Sequence, residues 1–170
     1  MISIKEGENI ISIYRRHKFI MILEIFPLVF FSIVVVLASF FVISYVLSDS
    51  LLVPVVLFLT FIFLHLFWIA IFIYLADYYL DVWILTDKRV ITIEQKSLFS
   101  RITSEFELSK IQEISVDVHG VLPTLIDYGN VRVRTASENP NFIFKQVGNP
   151  GKVKDQIMTQ ASKYGQKTTF

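Results

Sequence analysis

The sequence predicts a membrane α-helical hairpin joined to an α+β, mainly-β domain that ends in a capping helix. Three observations predict it. Residues 25–48 and 50–76 are runs of 24 and 27 residues without Asp, Glu, Lys or Arg. From Tyr79 onward the apolar runs give way to short alternating segments rich in β-branched residues. Near the end, Val153, Ile157, Ala161 and Tyr164 recur at helical spacing.

Composition separates the two parts. The chain has 170 residues, 54% hydrophobic and 18% charged, against about 45–50% and about 25% for an ordinary soluble domain. Eleven of its 16 Phe fall between Phe19 and Phe72, while residues 81–170 carry 22 of the 31 charged side chains. A single soluble domain, a disordered chain and a wholly membrane-embedded protein are all excluded. Residues 81–170 hold 12 Lys/Arg against 10 Asp/Glu, a balanced surface that does not fit a nucleic-acid partner. With no cysteine, disulfides, thiolate metal sites and a Cys nucleophile are excluded. His17, His65 and His119 lack metal-ligand spacing, so neither a metal nor a cofactor is expected.

Residues 1–18 form a basic, cytoplasmic N-terminal segment with Lys5, Arg15, Arg16 and Lys18. Ile10, Ile13, Tyr14 and His17 have helical spacing, which fits either an interfacial turn or an early start of the first membrane helix. Residues 19–48 and 50–76 are the two transmembrane helices, each longer than the ~20 residues a crossing needs. Ser48-Asp49-Ser50 is the tip of a tight hairpin, Pro54 falls in the first turn after it, and Pro27 is a candidate kink. The first run is too long for a cleaved signal peptide and has no A-x-A-like site after it. Both runs are apolar all round, with no face to show water.

Lys and Arg flank the hairpin on one side, with Lys88 and Arg89 following it, and are missing from the tip. The positive-inside rule therefore puts both termini in the cytoplasm of a multi-pass plasma or inner membrane protein. Arg15, Arg16 and Lys18, with the aromatic belt of Tyr74, Tyr78, Tyr79 and Trp83, are the expected membrane-interface residues. Glu24 lies near the cytoplasmic boundary, within reach of Arg15, Arg16 or Lys18. Folding the hairpin about Asp49 sets His65 level with Ser32 or Ile33, where a His–Ser hydrogen bond between helices would fit. Structural roles are favoured for Glu24 and His65.

Residues 79–165 form the cytoplasmic domain. Strands are expected before the Thr86-Asp87-Lys88 turn and over residues 89–94, 104–108, 111–118, 131–135 and 141–145. Gly120 and Tyr128-Gly129-Asn130 punctuate them, and residues 122–126 fit one helical turn. No long helix separates the strands, so the sheet is mainly antiparallel. Asn149 as N-cap and Pro150 at the first helical position open the last helix. Gly165 is its expected stop, and residues 166–170 are a tail.

These residues resemble the bacterial pleckstrin-homology-like (PH-like) domain of small membrane proteins with two transmembrane helices. The matching stretches are Leu85-Thr86-Asp87-Lys88-Arg89-Val90-Ile91, Glu94-Gln95-Lys96-Ser97-Leu98-Phe99-Ser100-Arg101, Leu108-Ser109-Lys110-Ile111-Gln112-Glu113-Ile114, Tyr128-Gly129-Asn130-Val131 and Thr135-Ala136. Gly7-Glu8, then Arg15-Arg16-His17 ahead of two membrane helices, also look like this family. Where the family pattern often has Gly, this chain has Ser97. The resemblance implies a partly open antiparallel β-barrel with a C-terminal capping helix, and a fold that hosts many binding roles. Phosphoinositide-binding relatives of this fold use a basic first hairpin loop. Here that loop, read as the Asp87-Lys88-Arg89 turn, is too short and mixed in charge for specific recognition.

Enzyme signatures such as G-x-S-x-G, Walker A, H-E-x-x-H and G-x-G-x-x-G are missing. Asp117 and His119 would share a strand face as a surface pair. Arg132 and Arg134 would project from one face and pair with acidic residues of a neighbouring strand. With Lys88, they are alternatively the candidates for lipid headgroup contact. The leading expectation is a membrane-anchored, non-enzymatic binding or scaffold module whose partners are the bilayer and either its own kind or another membrane protein. Anionic-lipid sensing comes second, and an oligomeric transport component with His65 lining a path comes third.

Overall fold

The computed structural model describes residues 7–45, 51–97, 100–136 and 141–168. In chain order the elements are β1 (Ile10–Tyr14), α1 (Lys18–Tyr45), α2 (Val53–Leu80), β2 (Val82–Thr86), β3 (Arg89–Ser97), β4 (Ser100–Glu107), a 3-10 turn (Leu108–Lys110), β5 (Ile111–Asp117), α3 (Val121–Ile126), β6 (Tyr128–Thr135), β7 (Asn141–Gly148) and α4 (Pro150–Thr168). They divide into two compact units, one of Lys18–Tyr78 and one that joins Met1–His17 to Tyr79–Phe170.

In the helical unit, α1 and α2 have 28 residues each. At 1.5 Å per residue each is about 42 Å long, and both are long and apolar enough to cross a membrane. Phe26, Phe40, Trp68 and Phe72 are exposed, so no protein core in this unit accounts for their apolarity. Polar side chains bond within their own helix. Ser32 donates to the Val29 carbonyl at 2.7 Å, and His65 Nδ1 lies 3.2 Å from the Phe61 carbonyl. The expected His65–Ser32 bond is therefore replaced by two local ones, because a carbonyl three or four residues back is always in reach of such a side chain. The tip residues Ser48, Asp49 and Ser50 lie outside the described residues.

The domain has two antiparallel sheets, ordered β1-β2-β3-β4 and β5-β6-β7. One strand was not expected. Ile10–Tyr14 is a strand rather than a helical turn, paired with β2 so that Ile13 faces Ile84 and Tyr14 faces Trp83. Both periods fit this segment. Its β-branched residues and the open edge of β2 decide for the strand. The domain's first hairpin is thus β1–β2, with α1 and α2 inserted in its connection. The Asp87–Lys88 turn is the second hairpin, not the first.

Trp83, Leu85, Val90, Phe106, Leu108, Ile114, Val131, Val133, Phe144 and Val147 fill the space between the sheets, with Val153 and Ile157 of α4. Each such side chain contributes about 1.5–3 kcal/mol by leaving water. Val131 and Val133 point in while Arg132 and Arg134 point out, as period-two alternation requires. Ala161 and Tyr164 complete the apolar face of α4, which continues through Gly165 to Thr168 instead of stopping there. The Asn149 carbonyl accepts the Val153 N–H at 3.2 Å. A bridge from Arg16 to Val147 links the edges of the two sheets, and among the described residues the barrel is not closed.

Gly129 lies inside β6 rather than in a turn. A Cβ there would meet the Asp117 carbonyl oxygen and Val118 Cγ2, both at 2.7 Å, so only glycine lets β5 approach. Ser97 ends β3 opposite Ser100. Among the described residues, the non-glycine positions with positive φ are Asp127, Gln146 and Asn149.

Candidate functional site

Charged residues from both sides of the helical insertion converge in the domain. Glu8 is buried, and its carboxylate accepts from Arg89 Nε and Nη2, both at 2.9 Å. Thr86 Oγ1 donates to Glu8 at 2.7 Å and accepts the Arg89 N–H at 2.9 Å. Arg89 Nη1 also donates to Glu105. The Glu8 hydrogen bonds push the Arg89 pKa above its ordinary value. Beside them the Asn9 N–H donates to Asp87 Oδ1 at 3.0 Å. The family-like residues Thr86, Asp87 and Arg89 therefore form a structural clasp on the N-terminal segment.

A second clasp lies where the chain leaves for α1 and returns from α2. Arg16 pairs with Asp81, which is 2% exposed. Asp81 Oδ1 also accepts the Gln95 N–H at 2.7 Å. The His17 ring stacks on Tyr128 at 5.7 Å, and the His17 backbone N–H donates to the Gln146 carbonyl at 2.7 Å. Tyr14 donates to Gln156 of α4 at 2.6 Å, and burial pushes its phenol above the ordinary value. Sequence reasoning missed Asp81. Its signal was a lone carboxylate between Tyr79-Leu80 and Val82-Trp83, which has to find a cation or donors when buried.

Several expected interface residues change role. Trp83 is 1% exposed in the domain core, 5.6 Å from Phe144, so it is not part of an interfacial belt. The apolar run continues into a central strand, whose two faces are both covered, and such a strand needs large apolar side chains. Arg16 is committed to Asp81. Arg15, Lys18 and Tyr79 are exposed, Tyr74 is partly buried, and Tyr78 is buried.

The candidate binding surface is a cleft of about 460 Å³ on the inner face of the first sheet. Along β3 and β4 that face begins with the core pair Val90 and Phe106. It then turns polar with Thr92 opposite Ser104 and Glu94 opposite Ile102. The sheets splay apart there, and Phe142, Ile143 and Lys145 of β7 form the far wall. Glu94 lies 3.1 Å from Lys96 and 3.7 Å from Lys145. Edge strand β4, with Ile102 48% exposed, forms the rim.

On the outer face of the second sheet, Arg132 pairs with Asp117 at 3.0 Å and Arg134 with Glu113 at 3.7 Å, around a groove of about 260 Å³. Both are strand-to-strand ion pairs between β5 and β6. Asp117 ends β5, and His119 lies beyond it, so the two do not share a strand face. Lys88 sits in the β2–β3 turn, at the opposite end of β2 from Asp81. Leu85 is in the core, Gln95 ends on the Asp81 clasp, Arg101 is exposed opposite Gln95, and Ile111 packs on the core edge. Leu98 and Phe99 lie outside the described residues. Among the described residues, no group of three His, Asp or Glu side chains is placed to hold a metal ion.

Comparison with known proteins gives one family. A family model described as "Bacterial PH domain" matches residues 20–161. A solved structure, that of a DUF1696 family protein with a pleckstrin-homology domain from Shewanella loihica, is similar at 13% identity and a TM-score of 0.37, over 49% of this chain and 69% of that one. No curated protein matches the chain.

Proposed function

Because the chain belongs to the bacterial PH domain family, we propose that it is a membrane-anchored, non-enzymatic binding module. Its helices hold the domain against the cytoplasmic face of the cell membrane, and the cleft beside β4 takes a segment of another protein or of a second copy. The observation that carries this reading is the switch from Val90 and Phe106 to Thr92, Glu94 and Ser104 along one continuous face. It leaves a mixed apolar and polar wall next to β4, the edge strand of its sheet among the described residues, the geometry in which an extended segment adds a strand. Anchoring raises the effective concentration of such domains, so weak contacts suffice.

Pairing of Tyr14 with Trp83 supports the orientation. If α1 and α2 span the bilayer, the two ends of the insertion emerge on one side. The tip has no Lys or Arg, which makes that side the cytoplasm.

The chain has no cysteine, so Ile102→Cys gives a clean crosslinking site. In native membranes its adducts should include a protein, self or other, that Lys110→Cys does not capture, and Ile143→Asp should abolish the capture. A protein that stays monomeric in mild detergent, with no partner recovered at Ile102→Cys, would contradict the reading. Headgroup sensing is the second reading, favoured by the exposure of Arg15 and Lys18 next to α1.

A further inference from the structure

Helix α3 carries apolar side chains that the domain does not use. Val121 and Leu125 are 83% and 80% exposed, and Leu122 is 48% exposed. The helix has no charged residue. Burying each of these side chains would stabilise by about 1.5–3 kcal/mol, yet the domain itself leaves all three exposed.

The position of α3 identifies what covers it. Gly120, with φ of +107°, turns the chain into the helix, and Asp127, with φ of +56°, turns it out into β6. The Asn149 N–H donates to the Asp127 carbonyl at 2.8 Å. The next residue, Tyr128, stacks on His17, which directly precedes Lys18, the first residue of α1. Leu125 is three residues from Tyr128, at most about 10 Å away, and Val121 one helical turn further. This is the end of the domain at which the chain departs for α1. Lys88 and Lys110 mark the other end, where the Leu108 N–H donates to the Lys88 carbonyl at 3.1 Å.

Exposed cations stand at the same end. Arg15 precedes the Arg16–Asp81 clasp. Arg101 lies opposite Gln95, whose N–H bonds Asp81, and exposed Lys96 follows it. An apolar patch next to basic side chains suits an anionic leaflet.

We propose that α3 is a third membrane contact, with Val121, Leu122 and Leu125 entering the boundary between headgroups and acyl chains. It restricts the domain's swing about its anchor and fixes how the β4 cleft is presented. This rests on the membrane-anchored reading above.

The test uses the full chain reconstituted in vesicles of phosphatidylcholine and phosphatidylglycerol. Single cysteines at Val121→Cys, Leu125→Cys, Lys110→Cys and Val34→Cys carry an environment-sensitive fluorophore. Labels at positions 121 and 125 should be quenched by a shallow lipid-borne spin label roughly twice as strongly as at position 110, or more. They should also resist a water-borne quencher. Three results would overturn the proposal. If positions 121 and 125 match position 110 while position 34 is quenched by lipid, α3 is in water. If they are shielded from both quenchers, protein covers α3. If position 34 itself is not quenched by a spin label carried deep on the lipid acyl chain, α1 is not in the bilayer, and the anchored reading falls as well.

Discussion

Glu8 and Arg89 stand 81 positions apart and form a two-pronged ion pair at 2.9 Å on both prongs. The pair ties the segment before the two long helices to the strands after them. With the Arg16–Asp81 contact it makes the domain a composite of both flanks of the insertion.

Removing the Glu8 charge leaves the buried Arg89 with the half-exposed Glu105 as its remaining counter-charge. Glu8→Gln should therefore lower domain stability by about 1.5–3 kcal/mol, the range for hydrogen bonds to a charged group, read by thermal unfolding in detergent. Replacing both, as Glu8→Leu with Arg89→Met, should recover most of that loss. An unchanged melting curve for Glu8→Gln would mean the clasp does not form.

Glycine at position 129 is required by backbone, not by a turn. Gly129→Ala pushes a methyl group against the Asp117 carbonyl and should cost about 1–3 kcal/mol. Gly148→Ala meets His17 Cδ2 at 2.9 Å, a side-chain contact that can shift, and should cost less. Chemical unfolding of the two variants checks the order.

Tyr14 links stability to alkaline pH. Burial raises its folded pKa above the unfolded value of 10.0. Its contribution is therefore complete below that value and is lost as pH rises through the folded pKa. Tyr14→Phe should be less stable near neutrality by about 0.5–1.5 kcal/mol for the lost Gln156 bond. The difference from wild type should shrink as the pH passes 10, measured as paired unfolding curves.

Trp83 and Trp68 are the two tryptophans of the chain. In Trp68→Phe only Trp83 emits, and its burial in the domain core predicts emission that brominated lipids leave unchanged. A residue of an interfacial belt would be quenched.

Much of this fold is legible in residue patterns. The two apolar runs, the alternation in β3 to β7 and the spacing of Val153, Ile157, Ala161 and Tyr164 each carry a single period. β1 was hidden because Ile10, Ile13, Tyr14 and His17 satisfy a helical period while Ile11 and Ile13 satisfy a strand period. What decides is the open edge of β2, a partner about 70 residues away that no local window contains. Trp83 is ambiguous in the sequence for a related reason. A strand buried on both faces and a membrane exit look alike in composition, and pairing alone separates them. The cleft depends on where two sheets part, which is set by tertiary packing rather than by any motif. Arg132 and Arg134 are readable as ion-paired because strand alternation puts both on one face of β6, Arg134 opposite Glu113 and Arg132 diagonal to Asp117.

The composite domain is tested most directly by a disulfide between Ile13→Cys and Ile84→Cys. The two positions face each other in the register of β1 and β2, and such neighbours have Cα atoms about 4.5–5.5 Å apart, inside disulfide range. In native membranes under mild oxidation, this pair should form an intrachain crosslink as readily as the control pair Ile84→Cys and Ile91→Cys across β2 and β3. A crosslink in the control but none between positions 13 and 84 would contradict a domain completed by the strand that precedes the membrane helices.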